Sequence, residues 1–277
     1  MMEPITVAAP DAYGLPRERW GEAAQAGLAA MREALESHAE HTCAVIIEPL
    51  VQCAGSMRMY DASYLTGLRQ LCDEYGVHLI ADEIAVGFGR TGTLFACERG
   101  NITPDFMCLS KGLTGGYLPL SAVLTSNKVY EAFYDRYETL KGFLHSHSYT
   151  GNALACRAAL ATLDLFEQSD VLGNNLALAK SLSQAIAPLA DHPQVGDVRQ
   201  TGMIAAVEMV QDKQTHTPYP WQQRRGMTVF QHALTRGVLL RPLGNVIYFM
   251  PPYVITEEQI QHVAKVAAEG IELATQD

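Results

Sequence analysis

The sequence predicts an α/β fold with a second, smaller α+β unit towards its C-terminal end. Two apolar runs, over 77–83 and 106–112, have the length of buried strands and are bounded by glycine or proline. Stretches of helical composition lie before, between and after such runs. This alternation is typical of a large domain built on a mixed, mostly parallel sheet.

The first part of the chain, residues 1–165, supplies the predicted large domain. It begins with an aperiodic, proline-rich stretch that we expect to be exposed. Ser63 can cap a helix that stops at Gly76, a residue type that favours helix C-termini. The expected elements are a helix over 19–39, a strand over 43–49, a helix over 63–75, strands over 77–83, 106–111 and 120–125, and a helix over 152–167.

The remaining residues, 166–277, differ from the first part in their pattern of helices and strands, and they predict the smaller α+β domain. Thr256 is a good N-cap for a final helix, because acidic residues follow it directly. The expected elements are a helix over 171–189, strands over 195–199 and 203–209, a helix over 221–236, strands over 238–241 and 246–250, and a last helix from 256.

Composition disfavours several classes of function. The chain has 277 residues and a formal net charge of −10, which argues against a partner that presents a phosphate backbone. No stretch is long and apolar enough for a membrane span, and the start lacks the features of a secretory signal. Six cysteines without a C-x-x-C pair are typical of reduced core residues. We therefore expect a cytoplasmic protein that binds neither nucleic acid nor membrane.

Each of the two apolar runs carries a side chain suited to chemistry at its end. Asp82 ends one predicted strand and Lys111 ends the next, and ligands of open α/β sheets bind beyond such carboxyl ends. A carboxylate and an amine that meet in one crevice suit a cofactor with an aldehyde and a ring nitrogen. Taken alone, Lys111 is more often a surface residue, and Asp82 more often a helix cap or loop hydrogen-bond acceptor.

Three further features are candidates for ligand binding. Ile84 shares the strand face of Asp82 and could pack against a bound ring. Arg241 ends a short apolar run and suits a carboxylate, although a lone arginine more often forms a surface salt bridge. The hydroxyl-rich stretch 145–152 precedes a helix, so it suits a phosphate group or simply caps that helix. Its H-x-H pair lacks a third ligand at suitable spacing, and we expect no metal site.

Three motifs resemble the class III pyridoxal-phosphate aminotransferases of fold type I. They are IEPLVQ at 47–52, ADEIAVGFGRTG at 81–92 and SKGLTGG at 110–116. Stretches at 57–60, 92–98 and 241–253 further resemble the branch of that family that aminates 8-amino-7-oxononanoate in biotin synthesis. The similarity extends from about residue 43 to the C-terminus.

The resemblance implies roles for individual residues. Lys111 matches the lysine that carries pyridoxal 5'-phosphate and later moves a proton, and Asp82 matches the acid that pairs with the ring nitrogen. Arg241 matches the arginine that binds the keto-acid carboxylate, with Tyr248 nearby. Ser148 matches a phosphate-binding threonine contributed by a second subunit, so the resemblance implies a homodimer with shared active sites.

The chain departs from the family pattern at several positions. Ser146 stands near the substrate, where glycine is frequent, and His147 stands beside the cofactor, where proline is frequent. Cys53 and Ser56 stand where glycine is common, and the sequence offers no reason for either. We also expect a sizeable N-terminal segment of the family pattern to be missing, so that this chain alone would bind the cofactor weakly and turn over poorly.

The implied reaction transfers an amino group from a donor, usually S-adenosylmethionine, to the ketone of 8-amino-7-oxononanoate and yields 7,8-diaminononanoate. One alternative is another class III enzyme, such as an ω-amino acid:pyruvate aminotransferase or an aminomutase. A second alternative is a truncated remnant that keeps the family sequence without catalysis. The residues alone do not choose the amino donor.

Overall fold

The computed structural model describes residues 3–276, and two main sheets organise that part of the chain. In chain order the helices are α1 (Trp20–His38), α2 (Ser63–Tyr75), α3 (Asn127–Glu131), α4 (Ala153–Gln168), α5 (Val171–Ile186), α6 (Arg225–Thr235) and α7 (Glu257–Thr275). The strands are β1 (Ala44–Ile47), β2 (Val51–Gln52), β3 (Arg58–Met59), β4 (His78–Asp82), β5 (Phe106–Leu109), β6 (Ala122–Thr125), β7 (Val195–Thr201), β8 (Ile204–Asp212), β9 (Thr217–Pro218), β10 (Pro242–Leu243) and β11 (Val246–Phe249).

The first sheet has the order β1-β4-β5-β6, and its mixed, mostly parallel arrangement confirms the predicted fold class. Strands β1, β4 and β5 run parallel, whereas β6 pairs antiparallel with β5. Helices α1 and α2 pack together, and α2 also contacts β4. The core between them includes the fully buried side chains of Leu65, Leu68 and Leu79. Because β1, β4 and β5 run parallel side by side, their carboxyl ends lie at one common edge of the sheet.

A small apolar cluster attaches α4 to the same edge. Phe88, Leu109, Leu113 and Ala159 are buried together in it. Of these, Leu109 ends β5, Leu113 lies in the 3-10 turn that follows, and Ala159 lies on α4. The cluster thus holds the turn after β5 between the sheet and α4.

The second sheet is antiparallel, with the order β10-β11-β8-β7 and the short β9 paired to β8. Its central strand β8 is buried on both faces. One face of β8 packs into a core with α5, α6 and α7, through Ala205, Val207 and Met209. The other face packs into the core of the first sheet, through Ile204 and Ala206. Because side chains alternate along a strand, β8 joins the two cores.

The start of α2 differs from the sequence expectation. Ser63 is the first residue of α2 rather than its cap. Ala62 stands at the cap position, and Asp61 just before it satisfies the start of the helix, because its Oδ1 accepts the backbone N–H of Ser63 at 2.9 Å. The other end agrees with expectation, since Gly76 follows the helix with a φ of +67°.

The strand expected over 238–241 is absent, and the ladder begins only at β10. Val238 and Leu240 are buried while Leu239 is exposed, so the stretch has the alternation of a strand. The N–H of Val238, however, donates to the carbonyl of Ala233 at 2.9 Å and closes the end of α6. The alternation therefore reflects packing of an extended connection rather than pairing in a sheet.

The division into 1–165 and 166–277 stays a prediction; residue 165 lies near the C-terminal end of α4. None of the helices over 3–276 combines the length and the apolar character needed to span a bilayer. Six cysteines are present in this part of the chain, and all are free thiols.

Candidate active site

The two acidic residues at the end of β4 serve different purposes. Glu83 is fully buried, and its carboxylate accepts the backbone N–H groups of Ala96 and Cys97 at 2.9 and 2.8 Å. Burial raises the pKa of Glu83 above its ordinary value, although these N–H groups oppose the shift. Asp82 is half-buried, and its Oδ1 accepts the N–H of Ile84 at 3.1 Å. Glu83 is thus a structural cap, and Asp82 is the carboxylate left for the site.

Lys111 follows β5 at the start of a tight turn. Its φ of +43° lies in the left-handed region, which costs a residue with a side chain about 1 kcal/mol or more. The hydroxyl of Ser110 donates to the carbonyl of Leu120 at 2.6 Å. Gly112 approaches Phe88 so closely that an added Cβ would lie 2.9 Å from the Phe88 Cβ. These contacts hold Lys111 in a strained conformation of the kind found at functional sites.

Asp82 and Lys111 lie at the same edge of the sheet. Strands β4 and β5 are parallel neighbours, and Asp82 pairs with Cys108, three residues before Lys111. The charges of both residues also act on the same two half-buried side chains, Glu48 and Cys53. The carboxylate and the amine therefore share one electrostatic neighbourhood beyond the carboxyl ends of the strands.

Sequence patterns do not single out Glu48 and Cys53 as site residues, yet both border this neighbourhood. Glu48 directly follows β1, and Cys53 begins the turn of the hairpin formed by β2 and β3. Burial raises the pKa of both groups, that of Cys53 to about 12. The sequence could have indicated Glu48, because it follows a third parallel strand, β1, whose carboxyl end lies at the same edge.

A cavity of about 1080 Å³ opens beside Lys111 and extends between α4, α5 and the chain that follows β11. Ile84 lines it together with Lys111, mostly among apolar neighbours. On another wall the guanidinium of Arg90 lies 4.7 Å from the ring centre of Tyr253 and donates to the carbonyl of Pro251 at 2.6 Å. The space is large enough for a small organic molecule.

This arrangement offers two elementary chemical functions. The amine of Lys111 is a nucleophile for a carbonyl carbon when it is neutral. The carboxylate of Asp82 can hold a cationic N–H group. Within residues 3–276, no group of three or more His, Cys, Asp or Glu side chains is placed to hold a metal ion.

Three predicted residues lie between β6 and α4, in the stretch 130–152, in which every residue is exposed. The N–H of His147 donates to the Thr150 hydroxyl at 3.2 Å, and the N–H of Tyr149 reaches His147 Nδ1 at 3.2 Å. Neither His147 nor its neighbours Ser146 and Ser148 line the cavity that contains Lys111. Within a single chain, the structure does not bring these three residues to that cavity.

Of the two predicted residues of the C-terminal half, Tyr248 lies on the second sheet and Arg241 lies just before its strand β10. Arg241 is exposed and immediately precedes β10. Tyr248 lies on β11 opposite Ala206 of β8, and it packs against the core of the first half. Neither of the two lines the cavity beside Lys111.

The chain matches known proteins along nearly its whole length. The model of the class-III aminotransferase family matches residues 2–269. A relative from Geobacter sulfurreducens, named adenosylmethionine-8-amino-7-oxononanoate aminotransferase, is 47% identical over 273 residues, which are 98% of this chain and 60% of that protein. The protein of the same name from Helicobacter pylori is 51% identical over 239 residues, or 84% of this chain and 53% of its own length.

Solved structures share the fold. The crystal structure of adenosylmethionine-8-amino-7-oxononanoate aminotransferase from Methanocaldococcus jannaschii superposes with a TM-score of 0.86 at 40% identity, and covers 89% of this chain and 57% of that one. An (S)-enantioselective omega-transaminase from Thermomicrobium roseum superposes with a TM-score of 0.88 at 30% identity, and covers 97% and 59%.

The match is nearly complete for this chain and partial for its relatives. The chain spans 60%, 48% and 53% of the length of three such curated relatives. The family model nevertheless extends over almost every residue, and the fold agrees with solved aminotransferases. The chain belongs to the class-III aminotransferase family.

Proposed function

We propose that the chain acts as, or within, an adenosylmethionine-8-amino-7-oxononanoate aminotransferase. Such an enzyme moves an amino group from S-adenosylmethionine, or another donor, to 8-amino-7-oxononanoate and yields 7,8-diaminononanoate. One observation carries the proposal: the neighbouring parallel strands β4 and β5 bring Asp82 and Lys111 to one edge of the sheet. The names of the relatives from G. sulfurreducens and H. pylori support the choice of substrates.

Pyridoxal 5'-phosphate fits the residues that are present. A flat heterocycle with an aldehyde and a ring nitrogen needs an amine, an acid and an apolar surface, which Lys111, Asp82 and Ile84 supply. Gly116 leaves space after Lys111, since an added Cβ there would meet no described atom within 4 Å. When bound, the cofactor supplies an electron sink for the substrate bond that breaks at Cα.

Each of these side chains has a definite task. The carboxylate of Asp82 holds a proton at the ring nitrogen and stabilises its positive charge. The amine of Lys111 anchors the cofactor and then acts as the base that moves the proton at the substrate Cα. Ile84 packs against the ring and excludes water from that side.

The substrate carboxylate is assigned to Arg241. A guanidinium binds a carboxylate through two parallel N–H bonds, which fixes the orientation of a long keto acid. Arg241 is exposed and thus available, and Tyr248 lies on the adjacent strand β11. Ser146 completes the substrate side in this proposal.

We further propose a homodimer in which Ser148 and His147 of one copy complete the cofactor site of the other. The surface between β5 and α4 supports this, because large apolar side chains such as Tyr117, Tyr137 and Leu144 are exposed there. Exposed apolar surface of this extent is typical of an interface. Sedimentation at micromolar protein concentration tests it, and a monomer with a saturable cofactor site would contradict the shared site.

The cofactor proposal is tested by titration of the purified chain with pyridoxal phosphate. We expect a saturable visible absorbance change, which borohydride reduction traps as a covalent adduct that maps to Lys111. Lys111→Ala should abolish the adduct, while Lys128→Ala, at an exposed lysine of α3, should leave it intact. No saturable change in the wild-type chain would contradict the proposal and favour a non-catalytic remnant.

A second candidate is a transaminase for other amines. The superposition of this chain on an omega-transaminase at 30% identity favours it. Coupled assays with S-adenosylmethionine, lysine and simple ω-amino acids as donors distinguish the candidates. Amination of pyruvate but not of 8-amino-7-oxononanoate would overturn the first candidate in favour of the second.

A further inference from the structure

Glu48 lies in the same row of the sheet as Asp82. In the register of β1 with β4, Ile46 pairs with Ile80 and Ile47 pairs with Ala81. The residue after Ile47 is Glu48, just beyond the end of β1, and the residue after Ala81 is Asp82, the last residue of β4. Side chains in one row of a parallel sheet point to the same face, and neighbouring strands are about 4.8 Å apart. Two carboxyl side chains therefore leave adjacent strand ends in one direction.

The backbone around Glu48 is firmly held. The hydroxyl of Tyr60, itself buried, donates to the carbonyl of Glu48 at 2.7 Å. The N–H of Tyr60 also donates to the carbonyl of Leu50 at 3.2 Å. Pro49, which follows directly, further restricts the conformation of Glu48 to the extended region. The carboxyl group is consequently presented from a rigid strand end.

Four titratable groups face Glu48 from the surrounding elements. They are Asp82 at the end of β4, Lys111 after β5, Cys53 on the hairpin of β2 and β3, and Tyr60 directly after that hairpin. Burial raises the pKa of Glu48 above its ordinary value. The N–H of Cys53 lowers it, the charge of Asp82 raises it, and the charge of Lys111 lowers it, in decreasing order.

Two carboxyl groups in one half-buried site seldom ionise together. Burial disfavours the charge on Glu48, and the charge on Asp82 disfavours it further. A carboxyl group that keeps its proton can donate a hydrogen bond, whereas a carboxylate only accepts. As a donor, the Glu48 carboxyl group would thus orient the Asp82 side chain instead of repelling it.

We propose that Glu48 is a positioning residue, whose carboxyl group holds the neighbouring Asp82 aimed at a cationic ring nitrogen. This inference rests on the proposed function, because the ring nitrogen belongs to pyridoxal phosphate. Glu48 itself does not touch the reacting atoms; it acts through Asp82.

The pairing is tested first without cofactor. Carboxyl-carbon NMR of the chain labelled at glutamate follows the titration of Glu48, which we expect above its ordinary value of 4.5. Asp82→Asn should lower the Glu48 midpoint, because the neighbouring charge is gone. Asp105→Asn, which removes a carboxyl group at the opposite end of β5, is the matched control and should leave it unchanged. A Glu48 midpoint that ignores Asp82→Asn overturns the inference.

A second arm uses the affinity for pyridoxal phosphate and the pH dependence of its absorbance. Glu48→Gln keeps a hydrogen-bond donor without charge and should bind and titrate like the wild-type chain. Glu48→Ala should weaken binding about tenfold, the usual effect of removing a supporting hydrogen-bond partner. Equal loss in both variants, or no loss in either, overturns the inference. Absence of any adduct in the wild-type chain would instead contradict the proposed function, while the NMR arm still decides on Glu48.

Discussion

Arg199 donates its Nε–H to the backbone carbonyl of Met57 at 2.8 Å, across 142 residues of sequence. Its Nη2 donates to the carbonyl of Ser56 at 2.5 Å, and the guanidinium pairs with Asp197 and Glu208 at 2.6 and 3.0 Å. Only 4% of Arg199 is exposed. Arg199 of β7 therefore holds the turn between β2 and β3 in place, and this turn positions Cys53 beside the candidate site.

Arg199→Met should destabilise the protein strongly. The substitution leaves the carboxylates of Asp197 and Glu208 without the guanidinium, at a cost of about 4 kcal/mol in the free energy of unfolding. Urea denaturation followed by circular dichroism measures the effect. Wild-type stability of the variant would show that the clamp contributes nothing.

Arg199→Lys is the matched control for charge. Lysine keeps the positive charge but presents one ammonium group instead of a planar fork, so it cannot serve both turn carbonyls and both carboxylates. We expect a smaller loss, about 2 kcal/mol. If the lysine and methionine variants were equally unstable, the geometry of the fork rather than its charge would account for the whole effect.

The backbone conformation at Ser56 shows why glycine suits this position of the family pattern. Its φ is +63° and that of Met57 is +54°, so two consecutive residues with side chains occupy the left-handed region. Glycine adopts that region without steric cost. Ser56→Gly should therefore raise the free energy of unfolding by up to about 1 kcal/mol, less the entropy that glycine adds to the unfolded chain.

A control within the same turn separates these two terms. Ala54 is exposed and is not among the residues with positive φ. Ala54→Gly thus adds only unfolded-state entropy and should lower the free energy of unfolding by about 0.5–1 kcal/mol. Both variants are compared by denaturant midpoint; a loss of equal size in both would contradict the conformational strain assigned to Ser56.

The sheet and the long helices were predictable because their signals are local. Strands β4 and β5 are short apolar runs between breakers, and α7 begins at the capping residue Thr256, whose hydroxyl accepts the N–H of Gln259 at 3.2 Å. The expectation over 238–241 was wrong because a short apolar run marks any extended, packed segment, with or without a ladder.

The parts of the site that escaped prediction depend on distant contacts. The hairpin of β2 and β3 has two residues in each strand, too few for a periodic pattern. Its turn relies on Arg199, which no local window contains. Asp82 and Lys111 could be proposed because each ends its own strand, whereas the position of Glu48 beside Asp82 becomes clear only from the pairing of β1 with β4.

Asp105 should make the stability of the protein depend on pH in the acid range. Burial alone would raise its pKa. The N–H of Leu79 at 2.7 Å, the guanidinium of Arg69 at 2.8 Å and the nearby His78 outweigh burial and lower the pKa below 3.8. A lowered pKa means that the stabilisation is present above the unfolded-state value and is lost as the pH falls through the folded-state value.

Asp105→Asn tests this assignment. The variant should lose about 2 kcal/mol near neutral pH, since two charge-assisted hydrogen bonds weaken. It should also show a flatter decline of the denaturant midpoint below about pH 4. Asp73→Asn is the control, because Asp73 pairs with the same Arg69 but is largely exposed, so its loss should be far smaller. Parallel acid declines of wild type and Asp105→Asn would contradict the assignment.

Cys53 should react slowly with alkylating reagents despite its place beside the candidate site. Burial, and then the charge of Glu48, raise the pKa of its thiol to about 12, and the opposing charge of Lys111 is a smaller cause. The thiolate is the nucleophile, so little reactive species exists near neutral pH.

Cys43 is exposed and serves as the internal reference. Iodoacetamide labelling followed by peptide mass spectrometry should modify Cys43 at least tenfold faster than Cys53. Labelling of Cys53 as fast as Cys43 would show that the turn is open to solvent and that the pKa of the Cys53 thiol is not raised.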